Sequence, residues 1–224
     1  MKELLPLDKL SKETERIVRW GSHVALHRAI LNTFPINGIL ELGAGLHSTK
    51  EFFTRDIKVT SIESDGNWIS QLRQSLKEDN KHKIVHHSLD RNITRRTRYA
   101  MVSKNIRDEA VKFYSSFISD DMNLLFIDQY AAFRLDSLQN LYSKFDIVTF
   151  HDVEPPDTYL YSLFKNNENY IRFTDKTYLA HTGLLIKPNL SPYVDKFLEC
   201  LNIEVEKRSE ELGVLASVCI ERIN

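Results

Sequence analysis

Gly38-Ile39-Leu40-Glu41-Leu42-Gly43-Ala44-Gly45-Leu46-His47-Ser48-Thr49 is followed about twenty residues later by Val59-Thr60-Ser61-Ile62-Glu63-Ser64-Asp65. An apolar run, a glycine turn, a helix-compatible segment and a second apolar run ending in acids is how a strand-turn-helix-strand unit that holds a nucleoside reads in sequence. Glycine at 43 and 45 lets the backbone turn sharply and come close to a ligand with no Cβ in the way. Glu63 stands where the second strand ends beside the first, and a carboxylate there can accept both hydrogen bonds of a ribose diol.

Outward from this stretch, short apolar runs recur at 36–42, 57–62, 83–87, 123–127 and 145–150, the first four each followed by helix-compatible sequence. That alternation predicts parallel strands joined by crossover helices, and their nearly continuous apolar character predicts burial on both faces. Before them, 8–34 carries a helical pattern that Gly21 interrupts and Pro35 ends. After them come Pro155-Pro156, a helix-like 157–165, and two β-rich segments, 170–174 and 178–187, close enough for a hairpin. The tail from 191 to 224 reads as helix, with Gly213 as a break. The expected fold class is therefore α/β: a Rossmann-like, doubly wound, mostly parallel sheet ending in an antiparallel hairpin, with helical additions at both ends. At 224 residues the chain is expected to form one domain, with a helical segment over 1–35, the core over 36–187 and a helical tail over 191–224.

Composition narrows the classes further. A formal net charge of −1 argues against a protein held to nucleic acid or anionic lipid by bulk attraction. The two cysteines, Cys200 and Cys219, make neither a disulfide framework nor a zinc site, so a reducing cytoplasmic compartment is expected. With no signal-like N-terminus and no long apolar run, no membrane contact is expected.

The ligand class follows from two residues. Dinucleotide sites carry a third glycine where the pyrophosphate nears the helix, and here that position is Ser48. Glu41, two residues before the turn, would repel a pyrophosphate but suit a cation such as a sulfonium with an amino-acid tail. S-adenosylmethionine is thus favoured over NAD.

The segments Glu41-Leu42-Gly43-Ala44-Gly45 with Ser48-Thr49, Thr60-Ser61-Ile62-Glu63-Ser64-Asp65 with Trp68, Leu125-Phe126-Ile127-Asp128, and Asp146-Ile147-Val148-Thr149-Phe150-His151-Asp152 resemble successive motifs of class I S-adenosylmethionine-dependent methyltransferases. More narrowly they resemble the small-molecule and sugar O-methyltransferase branch, over roughly 36–187. By that resemblance Glu41, Gly43 and Gly45 contact the methionine part, Glu63 the ribose, and Ser88, Leu89 and Asp90 the adenine. It implies a methyltransferase that modifies a hydroxyl of a small molecule, a sugar or glycan being the favoured acceptor.

Ligands of an open α/β sheet sit at the carboxyl ends of its strands, so Asp128, His151 and Asp152 are the candidates for chemistry. Asp128 and Asp152 could hold a divalent cation such as Mg2+ that acidifies the acceptor hydroxyl, a use the resemblance supports. Alternatively, His151 takes the proton directly. Where sugar enzymes of the branch continue Asp-Gly-Asp-His, this chain has Asp128-Gln129-Tyr130-Ala131, losing an acid and a histidine. The rival readings are an NAD-dependent oxidoreductase and a non-catalytic cofactor-binding protein of the same fold. His23 and His27, four apart, share a helix face, which could line the cofactor or substrate cavity or be simply a polar helix face. Arg91, Arg95, Arg96 and Arg98, with Lys104 and Arg107, form the one basic concentration, which would suit an anionic acceptor. The C-terminal helix is the candidate surface for a homodimer.

Overall fold

A computed structural model describes residues 4–89, 92–94, 97–153 and 169–223. The N-terminal helical stretch breaks where its glycine lies. Strand β1 (Leu5–Pro6) precedes helix α1 (Lys12–Trp20), whose N-cap Ser11 accepts a hydrogen bond from the Thr14 N–H at 3.2 Å, with Glu13 and Glu15 in the first turn. Both devices favour a helix start, the hydroxyl by satisfying an orphan donor and the acids by meeting the positive end of the dipole. Gly21 caps α1, and α2 (Val24–Thr33) begins almost at once. Pro35 lies just beyond its end.

The chain then alternates: β2 (Gly38–Leu42), α3 (Ser48–Phe53), β3 (Lys58–Glu63), α4 (Gly66–Ser75), β4 (His82–His86), α5 (Lys104–Ser115), β5 (Leu124–Ile127), α6 (Ala131–Leu141) and β6 (Ile147–His151). It finishes with the antiparallel pair β7 (Ile171–Asp175) and β8 (Thr182–Ile186), the long helix α7 (Val194–Leu212), β9 (Val214–Leu215) and β10 (Ile220–Ile223). The helix expected over 157–165 lies outside the described residues. No described helix is long and apolar enough to cross a membrane.

These elements fall into two compact units, residues 36–150 and residues 1–35 with 151–224. In the 36–150 unit all strand pairings are parallel, in the order β6-β5-β2-β3-β4. The central strands are buried along their whole length, with Ile39, Leu40, Leu42 and all of Leu124, Leu125, Phe126 and Ile127 at 0% exposure. Their sequences are correspondingly apolar, because helices cover both faces of a parallel sheet. Strand order reverses between β2 and β5. The chain winds outward through β3 and β4, then returns to lay β5 on the other side of β2, and a crevice opens at such a switch point. Gly43 comes directly after β2 and Asp128 directly after β5, so both stand at that point.

In the other unit α2 packs along α7, with Arg28 paired to Glu211 at 2.7 Å and Asn32 donating to Glu204. The β7–β8 hairpin matches the sequence expectation, and β10 extends it antiparallel on the β7 side, Ile220 facing Asp175 and Ile223 facing Arg172. Here the structure corrects the expectation of a helical tail to residue 224. Gly213, at φ 68°, stops α7 in a left-handed cap. Two short strands follow it: β9 pairs with β1, and the β-branched Ile220 and Ile223 lie in β10.

Candidate functional site

The turn after β2 is built so that its backbone comes within reach of β3 and β5. Gly43 has φ 95°, and a Cβ there would lie 2.4 Å from the Asp128 carbonyl carbon and the Gln129 nitrogen. No side chain fits, and left-handed backbone disfavours one in any case. Gly43 N–H donates to the Ile62 carbonyl at 2.8 Å, which fastens the turn to the end of β3. Gly45 is less constrained: its Cβ would meet only the Ser48 hydroxyl, at 3.3 Å. Ser48, the residue in the third-glycine position, is buried at the start of α3.

Beneath the turn lies Glu41, with no exposed surface. Its Oε2 accepts from Thr49 Oγ1 at 2.7 Å and from Ser61 Oγ at 2.5 Å, and Thr49 Oγ1 in turn accepts the Gly45 N–H at 2.9 Å. The acid thus holds the glycine turn through a threonine. Oε1 has no hydrogen bond of normal geometry, although the Ser48 hydroxyl lies close enough to favour its ionised form. Burial pushes the Glu41 carboxyl up to about 7, against the pull of the Ser48, Ser61 and Thr49 hydroxyls.

Of the two acids after β3, the structure gives each a separate task. Asp65 caps α4, its Oδ1 accepting from Asn67 N–H at 2.9 Å and Trp68 N–H at 3.2 Å. Glu63 Oε1 accepts from the Ser64 and Asp65 N–H groups at 2.6 and 2.8 Å, while Oε2 has no partner among the described residues. Burial raises the Glu63 pKa and those two backbone donors oppose it. Trp68 joins the two halves of the site by donating Nε1–H to the Ala44 carbonyl at 2.8 Å.

Beyond β4, His87 stacks on Phe113 at 4.4 Å and its Nδ1 lies 3.1 Å from the Tyr114 hydroxyl. Burial, with the charge of His86 beside it, lowers the His87 pKa to about 4. Ser88 is exposed and Leu89 half-buried, and Asp90 lies outside the described residues.

Asp128, at the end of β5, pairs through Oδ1 with Arg134 Nη2 at 2.9 Å, and Arg134 Nε donates to the Gln129 carbonyl at 2.7 Å. No sequence motif singles out Arg134, which sits one helical turn into α6. Its guanidinium compensates the carboxylate that was the candidate metal ligand. That pairing offsets part of the negative charge that Asp128 would offer a divalent cation.

His151 and Asp152 belong to the other unit. His151 is buried, its Nε2 2.7 Å from Ser22 Oγ and its Nδ1 3.5 Å from Asp152 Oδ1. Asp152 has φ 58°, a left-handed conformation that aspartate tolerates better than most side chains. The His23 and His27 pair does share a face: the His23 ring packs edge-on against His151 with centroids 4.8 Å apart, and His27 lies 5.1 Å from His23. Burial drives the His27 pKa down to about 3, with the charge of His151 adding to the effect. Asp175, on β7, is also buried, which raises its pKa to about 6 against hydrogen bonds from Thr177 and the charge of His151. Ser22 and Asp175 carry no motif, and only the fold brings them to this histidine.

Arg91, Arg95 and Arg96 lie outside the described residues. Arg98 is exposed, Lys104 pairs with Asp108 at 2.5 Å, and Arg107 pairs with Asp136 at 2.8 Å while its guanidinium lies 3.9 Å from the Tyr99 ring centroid. Arg107 is therefore bound within its own unit.

No protein-family model and no curated protein sequence matches this chain. Among solved structures, it is similar to a Corynebacterium diphtheriae domain described as a precorrin-6Y C5,15-methyltransferase, with 12% identity and a TM-score of 0.45 over 79% of this chain and 99% of that one. It is also similar to a methyltransferase-like protein from Silicibacter pomeroyi, with 15% identity and a TM-score of 0.46 over 80% of this chain and 93% of the other.

Proposed function

We propose that the chain is an S-adenosylmethionine-dependent methyltransferase that transfers a methyl group to a hydroxyl of a small molecule, with a sugar or glycan as the acceptor class. The observation that carries this reading is Glu63: one carboxylate oxygen is fixed by two backbone N–H groups and the other is open. That is what a ribose diol needs from a rigid acceptor, beside a glycine turn that keeps side chains away from the ligand.

Glu41 supports a cationic ligand over a pyrophosphate. A buried acid near its pKa at neutral pH is drawn to its ionised form by a cation and is opposed by an anion. In this reading the backbone at Gly43 and Gly45 receives the methionine part, Glu63 the ribose, and the segment at Ser88 and Leu89 the adenine. When bound, the cofactor supplies a methyl carbon on a positively charged sulfur. The chain's own groups keep the turn rigid, hold the Asp128 charge against Arg134, and offer His151 as the proton acceptor.

Calorimetry with S-adenosylmethionine and with NAD tests the cofactor. Binding of the first, and its loss on Glu63→Ala, is the expected result; tight binding of NAD alone overturns the reading. Release of S-adenosylhomocysteine with glucose, N-acetylglucosamine, UDP-glucose and catechol tests the acceptor. Background release throughout, with the cofactor still bound, would instead favour a non-catalytic binding protein.

A further inference from the structure

We propose that Arg73 and Glu78 plug the free edge of β4 against strand addition, and that a second copy of this chain docks there, β4 against β4, when the plug is removed. The inference concerns only the 36–150 unit and is independent of the function proposed above.

Strand β4 is the last in its sheet and pairs with β3 alone. Val59 N–H donates to the Lys81 carbonyl at 2.9 Å and His87 N–H to the Glu63 carbonyl at 2.8 Å, so the odd-numbered residues of this segment turn their backbone groups to β3. The N–H and C=O groups of His82, Ile84 and His86, one residue out of phase, point away from the sheet. A row of that kind is a template for another strand, and the β-branched Ile84 and Val85 at its centre suit one.

In this chain most of the row is already occupied. Glu78 Oε1 accepts the Ile84 N–H at 2.7 Å, Arg73 Nη2 donates to the Ile84 carbonyl at 2.8 Å, and Arg73 Nε donates to Glu78 Oε2 at 2.8 Å. The three residues close a ring in which an ion pair makes both bonds that a neighbouring strand would make at Ile84. Asp79 covers the position before it: its N–H donates to the His82 carbonyl at 3.0 Å, and its Oδ1 accepts the His82 N–H at 2.8 Å. No such bond caps the His86 backbone among the described residues.

An exposed ion pair adds little stability by itself. Its effect here is on the choice of partner, because an incoming strand would have to exchange charge-assisted hydrogen bonds for weaker neutral ones. Charged side chains are a known means of closing a sheet edge.

Without the plug, the edge complements itself. Two β4 strands set antiparallel about a two-fold axis at Val85 would place each Ile84 opposite the other copy's His86. Those pairs exchange N–H···O bonds on both sides of the axis, and the two Val85 side chains meet in the close, non-hydrogen-bonded position between them. His82 keeps its Asp79 cap in this register. With the plug in place Ile84 has no backbone group to offer, so none of these bonds can form.

The test uses the full chain and combines residue-resolved hydrogen exchange with sedimentation. It compares wild type, Arg73→Ala/Glu78→Ala, and Lys77→Ala, which removes a charge from the same loop without touching Ile84. In wild type the Ile84 amide should exchange at least about tenfold more slowly than that of His86, the uncapped position of the same row. In the folded double variant the mass should rise above that of wild type as concentration goes from about 1 to 100 μM. Over the same range protection should appear at His86 and return at Ile84. Lys77→Ala should match wild type in both measurements. A wild-type Ile84 amide that exchanges as fast as that of His86 overturns the plug, whatever the variants do. A folded double variant that keeps the wild-type mass, or that associates with no added protection at Ile84 and His86, overturns the docking. Should the double variant fail to fold, Arg73→Ala and Glu78→Ala singly, each baring one Ile84 group, decide the question by the same two readings.

Discussion

Replacing Gly43 with alanine should destabilise the protein by about 2–5 kcal/mol, the sum of two costs. The new Cβ would stand 2.4 Å from the Asp128 carbonyl carbon, 2.4 Å from the Gln129 nitrogen and 2.5 Å from the Asp128 oxygen. Relieving that overlap of roughly 1 Å means moving a backbone, since the obstacle is not the end of a flexible side chain; such overpacking costs about 1–3 kcal/mol. The Asp128 N–H is itself held to the Leu42 carbonyl at 2.7 Å, so β5 cannot retreat without losing a sheet hydrogen bond. The backbone at φ 95° adds about 1–2 kcal/mol for any residue with a Cβ. With a urea dependence of about 2 kcal/mol per molar, the unfolding midpoint should fall by about 1–2.5 M. Gly45→Ala is the control. Its Cβ meets one hydroxyl at 3.3 Å, so its midpoint should move by less than about 0.5 M. Equal midpoints for Gly43→Ala and wild type would refute the close approach of β2 and β5 on which the site depends.

Glu63→Ala should weaken S-adenosylmethionine binding by about 1.5–3 kcal/mol, or roughly 10- to 150-fold by calorimetry, because it removes charge-assisted hydrogen bonds to the ribose; unchanged affinity would remove Glu63 from the site. Glu41→Gln should change how stability depends on pH. The folded Glu41 pKa, about 7, lies above its ordinary 4.5, so the native state holds the proton longer. Its contribution is present below about pH 4.5 and is lost as pH rises to about 7, some 3 kcal/mol in all. His27 titrates in the opposite sense, its depressed pKa of about 3 costing stability as pH falls below 6.5, so the readout is the difference between wild type and Glu41→Gln. A difference that stays constant across that window would show that Glu41 does not titrate there.

The parallel strands are legible in the sequence because each is a short, nearly unbroken apolar run: the runs at 123–127 and 145–150 correspond to the strands Leu124–Ile127 and Ile147–His151. Burial on both faces forces that composition, so composition reveals the strand. Gly43 is legible for a similar reason, since a turn that admits no Cβ has to be glycine. The partners of the polar groups are not. Ser22 meets His151 across 129 residues and Arg28 meets Glu211 across 183, and a lone serine or arginine carries no local pattern that names a distant partner. The terminal strand escapes a reading of the sequence because 214–223 is too short for a period to assert itself, and its conformation is decided by the open edge of β7 that receives it.

Glu63 and Asp65 look alike in sequence, and only the fold gives them different tasks. Two residues apart after one strand, either could serve a ribose, and by charge alone the shorter, more exposed Asp65 is as good a candidate. The turn into α4 separates them. An aspartate one residue before a helix can reach back to its first N–H groups, and Asp65 spends its Oδ1 on Asn67 and Trp68. Glu63 sits two positions too early to cap that helix. Instead, its longer side chain folds over the next two N–H groups with a single oxygen, leaving the other unpartnered among the described residues. Those two donors also limit how far burial raises its pKa. The open oxygen is therefore both rigidly aimed and available as a charge. Exchanging the two acids would keep the composition and the net charge, yet it would place a short carboxylate where a long one must reach, and the proposed ribose contact would be lost.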